Sequence, residues 1–214
     1  SKPLRNPVSR LIEFYVTFMW AKPMRESLPV VVDEGGEFEE SLIEAIYQFL
    51  EWSNFDRLKN RIVRDYVKYG EIILKVATRN NDAGEPDRVY LQPIRAEDVS
   101  EIDVDERHYV TFIRMDISKY KRNADGTKQP YTYTEVWNLE GMRIWEHDKG
   151  MNVSLQQLGD PKSTLDMKET GTGGFLPFAY NHFRDLGEVR GVNAFVAAIS
   201  KIDEADNIAT DLHK

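Results

Sequence analysis

The sequence has no cysteine among its 214 residues. This absence excludes disulfide bonds, thiolate zinc sites, iron–sulfur clusters and a cysteine nucleophile. Histidine is scarce too, with four residues, and no two of them have the i, i+4 spacing of a helical metal site. A chain of this length buries roughly 70% of the surface that it exposes when unfolded, so it can fold without a covalent or metal crosslink.

Positive charge is in deficit, since 28 Lys and Arg residues stand against 36 Asp and Glu residues and give a net charge of −8. Such a chain has no overall attraction to nucleic acid or to an anionic membrane, unless a local basic patch reverses the field. Long apolar runs are missing as well, because Glu13 and Thr17 interrupt the most apolar N-terminal segment. That segment is about half as long as the roughly 20 residues that cross a bilayer, so no membrane partner is expected.

Enzyme signatures are also missing. The chain has no Walker sequence, no Gly-x-Ser-x-Gly and no His-Glu-x-x-His. Gly171-Thr172-Gly173-Gly174 is similar to a phosphate-binding loop in composition, but the Phe-Leu-Pro that follows it is a poor helix start. We therefore expect a flexible loop there, no cofactor, no metal site and no enzymatic activity.

Helical periodicity marks the first third of the chain. A first helix begins at Asn6-Pro7, a second is predicted over residues 38–52, and a third runs between the cap Asn54 and the stop Gly70. The apolar face predicted for the first helix consists of Val8, Leu11, Ile12, Tyr15, Phe18 and Met19.

From residue 71 the apolar residues recur with the two-residue period that is typical of strands. Strands are predicted over residues 72–78, 89–93, 109–115, 131–137, 142–146 and 175–181, with a further short apolar run at 28–32. Asp125-Gly126 predicts a hairpin between two of them, and the polar residues 149–174 predict a long loop. Helices followed by antiparallel strands are typical of the α+β class.

At the end of the chain, apolar residues recur at steps of three and four from Val192 to Leu212. This pattern predicts a long C-terminal helix over residues 192–214, after an α+β domain over residues 1–191. Because no Gly or Pro stop follows the pattern, we expect the helix to continue beyond Lys214 in a longer protein.

Two neighbouring predicted helices carry opposite charge. Residues 33–51 contain seven acidic residues and no basic one, whereas the helix after Asn54 carries a run of basic residues. The two helices can pair with each other as a hairpin, pair with the complementary helix of a neighbouring subunit, or simply present solvated faces. The subunit-interface candidates are Glu39, Glu40, Glu44, Arg57, Lys59 and Arg61.

Two alternative functions follow from the same sequence. The first is an α+β hydrolase in which the carboxylates between Asp98 and His108 hold a divalent ion in a concave pocket, although their spacing matches no calcium loop. The second is an adaptor that binds a partner helix through Arg57, Lys59 and Arg61.

Several short segments, taken together in their order along the chain, indicate a resemblance to a protein family. The C-terminal ones are Leu176-Pro177-Phe178-Ala179-Tyr180-Asn181-His182, Gly191-Val192-Asn193-Ala194-Phe195 and Ile202-Asp203-Glu204-Ala205-Asp206-Asn207. Upstream lie the helix-to-strand passage around Tyr69-Gly70-Glu71 and the segment Gln92-Pro93-Ile94-Arg95-Ala96-Glu97-Asp98-Val99. The series, which spans most of the chain, resembles the portal proteins of tailed bacteriophages.

This resemblance implies a structural subunit of a dodecameric ring at one capsid vertex, through which double-stranded DNA is packaged and ejected. The chain would be the wing of that subunit, with its last residues leading toward the stem. The implied partners are other copies of the subunit, capsid and scaffolding proteins, terminase and head-completion proteins. The implied location is the virion, and the bacterial host cytoplasm during assembly.

Overall fold

A computed structural model describes residues 7–27, 39–170, 174–184 and 186–211. The chain divides into two compact units. Unit 1 consists of Ser1–Ile72, Val76–Pro93 and Asn181–Lys214, and unit 2 consists of Ile73–Lys75 and Ile94–Tyr180. The predicted apolar run at 28–32 lies outside the described residues, as do residues 171–173 of the predicted glycine loop.

Helices and antiparallel sheets occur together, which confirms the predicted α+β class. The helices are α1 (Pro7–Met19), α2 (Met24–Ser27), α3 (Glu39–Trp52), α4 (Phe55–Tyr69), α5 (Leu155–Leu158) and α6 (Ile199–Asp211). The strands are β1 (Glu71–Asn80), β2 (Pro86–Ile94), β3 (Val99–Val104), β4 (Val110–Arg122), β5 (Lys128–Asn138), β6 (Gly141–His147), β7 (Ser163–Asp166) and β8 (Phe178–His182).

A five-stranded antiparallel sheet with the strand order β3-β4-β5-β6-β7 forms most of unit 2. Its longest pairing joins β4 to β5, from Phe112↔Asn138 to Arg122↔Lys128. The turn between these strands contains Asp125 and Gly126, which confirms the predicted hairpin. A second sheet has the strand order β2-β1-β8.

One face of the five-stranded sheet carries the apolar core of unit 2. Ile113 and Met115 of β4 and Trp137 of β5 are buried together with Val99 and Ile102 of β3. Ile113 and Met115 alternate along β4, as a half-buried antiparallel sheet requires, whereas a register shift between Val99 and Glu101 separates the two buried residues of β3 by three positions. The predicted strand at 109–115 therefore exists but is longer, and β3 is a strand that the sequence pattern did not predict.

The core of unit 1 is smaller and forms where α1 packs on α4. Val16, Val63 and Val67 are its buried residues, with Ile12 and Tyr15 packed against them. Gly70 ends α4 in a left-handed conformation (φ 81°), and its N–H donates to the Tyr66 carbonyl at 2.8 Å. This is the stop that the sequence predicted, because glycine adopts positive φ without steric cost.

Three predictions about the helical parts are wrong in detail. Asn54 precedes α4 but makes no side-chain capping bond, because it is itself left-handed (φ 50°). Phe18 and Met19 were assigned to the buried face of α1, yet they are 71% and 41% exposed. The predicted loop at 149–174 contains α5 and β7, and β7 extends the sheet by pairing with β6.

The long C-terminal helix is not present in the described part of the chain. Instead, α6 begins at Ile199 after the short 3-10 turn Val196–Ala198. The reason lies in the preceding backbone: the Ala194 N–H donates to Val67 at the end of α4, and the Phe195 N–H donates to the Asn193 side chain. These bonds hold residues 193–195 in a non-helical path, so the apolar periodicity alone was misleading.

Candidate functional site

The predicted subunit-interface residues have different environments in the structure. Glu44 and Arg57 are exposed on α3 and α4, and Arg61 forms an i, i+4 ion pair with Asp65 of its own helix at 3.6 Å. The side chains of Glu39 and Glu40 lie outside the described part of the structure. Glu44 and Arg57 therefore stay as candidates with a surface position, and Arg61 is partly neutralised within α4.

Lys59 differs from the other candidates because it is buried. Its Nζ donates to the Lys22 carbonyl at 2.5 Å and lies 3.1 Å from Asp56 Oδ1. With 8% of its surface exposed, the ammonium group joins the segment before α2 to the first turn of α4. This position corrects its assignment to a subunit interface and to the partner-binding face of the adaptor hypothesis, because its charge is used within unit 1.

Arg57 lines a groove of about 370 Å³ in unit 1. The groove lies between the end of α3 and the start of α4, and its wall also contains the apolar side chains of Met24, Tyr47, Leu50 and Phe55. An apolar surface with charged groups at its margin is the usual composition of a protein-binding patch.

The acidic residues between Asp98 and His108 do not converge on a pocket. Glu101 and Asp103 are exposed on β3, and the Asp105 carboxylate accepts the N–H groups of Arg107 and Tyr109, both at 2.9 Å. Asp105 therefore stabilises a turn. In the described part of the chain, no group of three or more His, Asp or Glu side chains is arranged to hold a metal ion. The hydrolase hypothesis has no site at these residues.

Two segments that carry the portal resemblance meet in unit 1, although they are 115 residues apart in the sequence. The Tyr66 hydroxyl of α4 lies 2.9 Å from Asn181 Oδ1 and 2.7 Å from the His182 carbonyl. Burial raises the pKa of Tyr66, which keeps the hydroxyl protonated as a donor. The Phe183 N–H donates to the Gly70 carbonyl at 2.7 Å. We call this contact region the Gly70 junction.

Glu71 is the charged centre of the Gly70 junction. Its carboxylate is buried and accepts two bonds from the Arg190 guanidinium, of which the Nε bond is 3.0 Å long, and a third from the Gly191 N–H at 3.0 Å. A Cβ atom at Gly70 would overlap the Val192 carbonyl group, and one at Gly191 would overlap the Gly70 carbonyl. Both glycines are therefore required for close approach of the two backbones.

Unit 2 contains a buried polar cluster that the sequence did not reveal. Asp116 of β4 is fully buried and lies 3.1 Å from the Arg114 guanidinium and 2.5 Å from the Thr134 hydroxyl. The Asn152 N–H and the Val153 carbonyl bind the same two charged side chains, so the segment after β6 covers this face of the sheet.

His147, at the end of β6, borders this cluster. Its Nε2 is 2.9 Å from the Thr134 hydroxyl, and its Nδ1 is buried without a hydrogen-bond partner. Burial lowers the pKa of His147 from its ordinary value of 6.5, and the neighbouring Asp116 carboxylate opposes that shift. Neutral His147 therefore belongs to the folded state.

None of the helices in the described residues is long and apolar enough to cross a membrane. No protein-family model matches the chain, and no curated protein matches it.

Proposed function

We propose that this chain is the wing part of a bacteriophage portal subunit, a structural protein that works by contact with neighbouring subunits and capsid proteins. The parent ring would occupy one capsid vertex and pass double-stranded DNA. On this proposal the chain needs no cofactor and performs no reaction. Its surfaces, rather than a pocket, perform the function.

One observation carries the proposal. Two segments of the portal resemblance, the helix-to-strand passage at Tyr69-Gly70-Glu71 and the segment around Asn181 to Asn193, are in direct contact at the Gly70 junction. Their contact supports a common structural role for the motifs.

The surface of unit 1 offers apolar side chains to a partner. Phe14 and Phe18 of α1 stack on each other with ring centroids 4.4 Å apart, and both are exposed. Leu42 on α3 and Ile208 on α6 are exposed as well. Apolar side chains at helical spacing are normally buried, so their exposure favours a role in which another protein covers them.

Charge offers a second means of contact between copies. Glu44 and Arg57 are exposed on neighbouring helices of opposite charge, and Arg57 lies beside apolar groove residues. A repeated subunit can place the acidic helix of one copy against the basic helix of the next, as a head-to-tail ring interface requires.

A charge-reversal series tests this proposal in the product of the complete gene. Arg57→Glu should lower the fraction of assembled particles in sedimentation velocity, and Glu44→Arg in the same chain should restore part of it. Arg143→Glu, at an exposed position of unit 2, is the control. Assembly that is unchanged in Arg57→Glu would remove this helix from the interface, and a complete gene product that never assembles would contradict the proposed function itself.

A further inference from the structure

The hairpin of β4 and β5 extends beyond the rest of its sheet as a two-stranded ribbon. Pairing of β3 with β4 reaches only Met115, and pairing of β6 with β5 begins at Thr132. Residues 119–131 therefore pair only with each other among the described strands, and all of residues 121–130 are exposed. We call residues 119–131 the basic ribbon.

The charge of the basic ribbon is opposite to that of the whole chain. It contains Lys119, Lys121, Arg122 and Lys128 and a single acid, Asp125, whereas the chain has a net charge of −8. Asp125 is used within the turn, where its Oδ1 accepts the Thr127 N–H at 2.9 Å and the Thr127 hydroxyl at 2.6 Å. The ribbon is thus the local basic patch that an acidic chain needs before it can bind a polyanion.

Three cations of the basic ribbon lack an ion pair in the described part of the chain, as Arg57 and Arg107 do elsewhere. Arg143 pairs with Glu140 at 2.8 Å and Lys201 pairs with Glu204 at 2.9 Å, but Lys121, Arg122 and Lys128 form no ion pair among the described residues. At the base of the ribbon, the Glu146 carboxylate is bound by Lys162 at 2.6 Å. Lys119 and Lys121 also help to lower the pKa of the Glu146 carboxyl. The positive charge that is left for a partner therefore lies chiefly on Arg122 and Lys128.

Arg122 and Lys128 lie directly opposite each other across the two strands. Like charges at such a position destabilise a strand pair. Neither stability nor packing explains this arrangement, because both side chains are exposed. A bound polyanion would convert the repulsion into a shared attraction.

We propose that the basic ribbon binds the phosphate backbone of double-stranded DNA without sequence preference. A two-stranded ribbon has the width that a DNA groove admits. Tyr120, which is 67% exposed on the same face as Arg122 and Lys128, adds a hydroxyl donor of the kind that contacts phosphate oxygens. Pro130 removes an N–H from the ribbon, which makes docking by addition of a further strand unfavourable.

This inference does not depend on the proposed ring, because it uses only the geometry and charge of unit 2. The two can fail separately. A chain that binds DNA but never assembles would contradict the portal proposal alone. A chain that assembles but does not bind DNA would contradict the ribbon proposal alone.

Fluorescence anisotropy of the full 214-residue chain with a short labelled DNA duplex tests the proposal. Contact with about three phosphates predicts a slope of about −2.7 for the logarithm of the affinity against that of the salt concentration. The affinity should therefore fall about 40-fold between about 50 and about 200 mM salt. A duplex of scrambled sequence should bind equally well.

Two variants with the same net charge give the decisive comparison. Lys121→Gln, Arg122→Gln and Lys128→Gln together remove three unpaired ribbon cations, and at about 50 mM salt each removal should cost about tenfold in affinity. Arg88→Gln, Arg143→Gln and Lys201→Gln remove three cations that have carboxylate partners. This control should change the affinity less than about threefold, since those charges are already neutralised.

Three results would overturn the proposal. The first is no binding of the duplex by the unaltered chain at low salt. The second is an equal loss of affinity in both triple variants, which would reduce the effect to net charge. The third is displacement of the duplex by poly-glutamate at equal charge concentration, which would identify an acidic protein surface as the partner. Circular dichroism of both variants establishes that they fold.

Discussion

The two units of this protein differ in how completely they bury their own apolar surface. Unit 2 encloses Ile113 and Met115 on one face of its sheet, and it also encloses the charged pair Arg114 and Asp116 on the other. Unit 1 has a small core, and its helices leave Phe14 and Phe18 exposed. The sheet of unit 2 thus buries side chains on both of its faces, whereas α1 of unit 1 leaves two aromatic rings on the surface.

The largest expected effect concerns the buried charge pair of unit 2. Arg114→Ala leaves the Asp116 carboxylate buried without its cation, and this should lower the free energy of unfolding by about 3–5 kcal/mol. The control Arg143→Ala removes an exposed pair with Glu140 and should cost only about 0–1 kcal/mol. Urea unfolding followed by circular dichroism measures both. Equal costs would mean that removal of the Arg114 guanidinium does not leave Asp116 as an uncompensated buried charge.

The Gly70 junction provides the next test, in unit 1. Gly70→Ala should cost about 1–2 kcal/mol for its positive φ, and about 1–3 kcal/mol more for overlap with Val192. Gly84→Ala carries the same backbone strain, at φ 84°, in open space. The difference between the two free energies of unfolding therefore measures the close contact alone, and a difference near zero would contradict the junction.

The polar cluster of unit 2 should also make stability depend on pH through His147. Because burial lowers the folded-state pKa of His147 below 6.5, the unfolded state takes up a proton first as the pH falls. Its contribution to stability is therefore fully present above about pH 6.5 and decreases as the pH falls through the lowered pKa. His147→Gln should flatten this part of the curve of unfolding free energy against pH. An unchanged slope would exclude the cluster as its origin.

The smallest effect on stability is expected on the exposed face of α1. Phe18→Ser should change the free energy of unfolding by no more than about 0.5 kcal/mol, because the ring is 71% exposed. Val67→Ala, in the core beneath α1, should cost about 2 kcal/mol. If Phe18→Ser is the more damaging of the two, the face of α1 is part of the unit's core and not a docking surface.

Elements with strong local signals could be predicted from the sequence. The stop at Gly70 and the hairpin at Asp125-Gly126 follow from glycine's freedom at positive φ, and both occur as expected. The α+β class could also be predicted. The helical and strand periods of the apolar residues are properties of short segments, so their order along the chain can be read without knowledge of distant contacts.

Features that depend on distant contacts could not be predicted in this way. The helix after Val192 was overestimated because a distant backbone group, the Val67 carbonyl, holds Ala194 outside the helix. The polar cluster was missed because residues 152–153, which lie far along the chain, cover Arg114 and Asp116. Lys59 was assigned to the surface because the sequence around it does not reveal its distant hydrogen-bond acceptor, the Lys22 carbonyl.

Electron microscopy of the complete gene product, purified alone, tests the central claim most directly. The claim is that the surfaces of unit 1 serve assembly of a portal ring. It predicts closed rings with a central opening wide enough for a DNA duplex. A product that stays monomeric at micromolar concentration and above, or that forms only closed dimers, would contradict it.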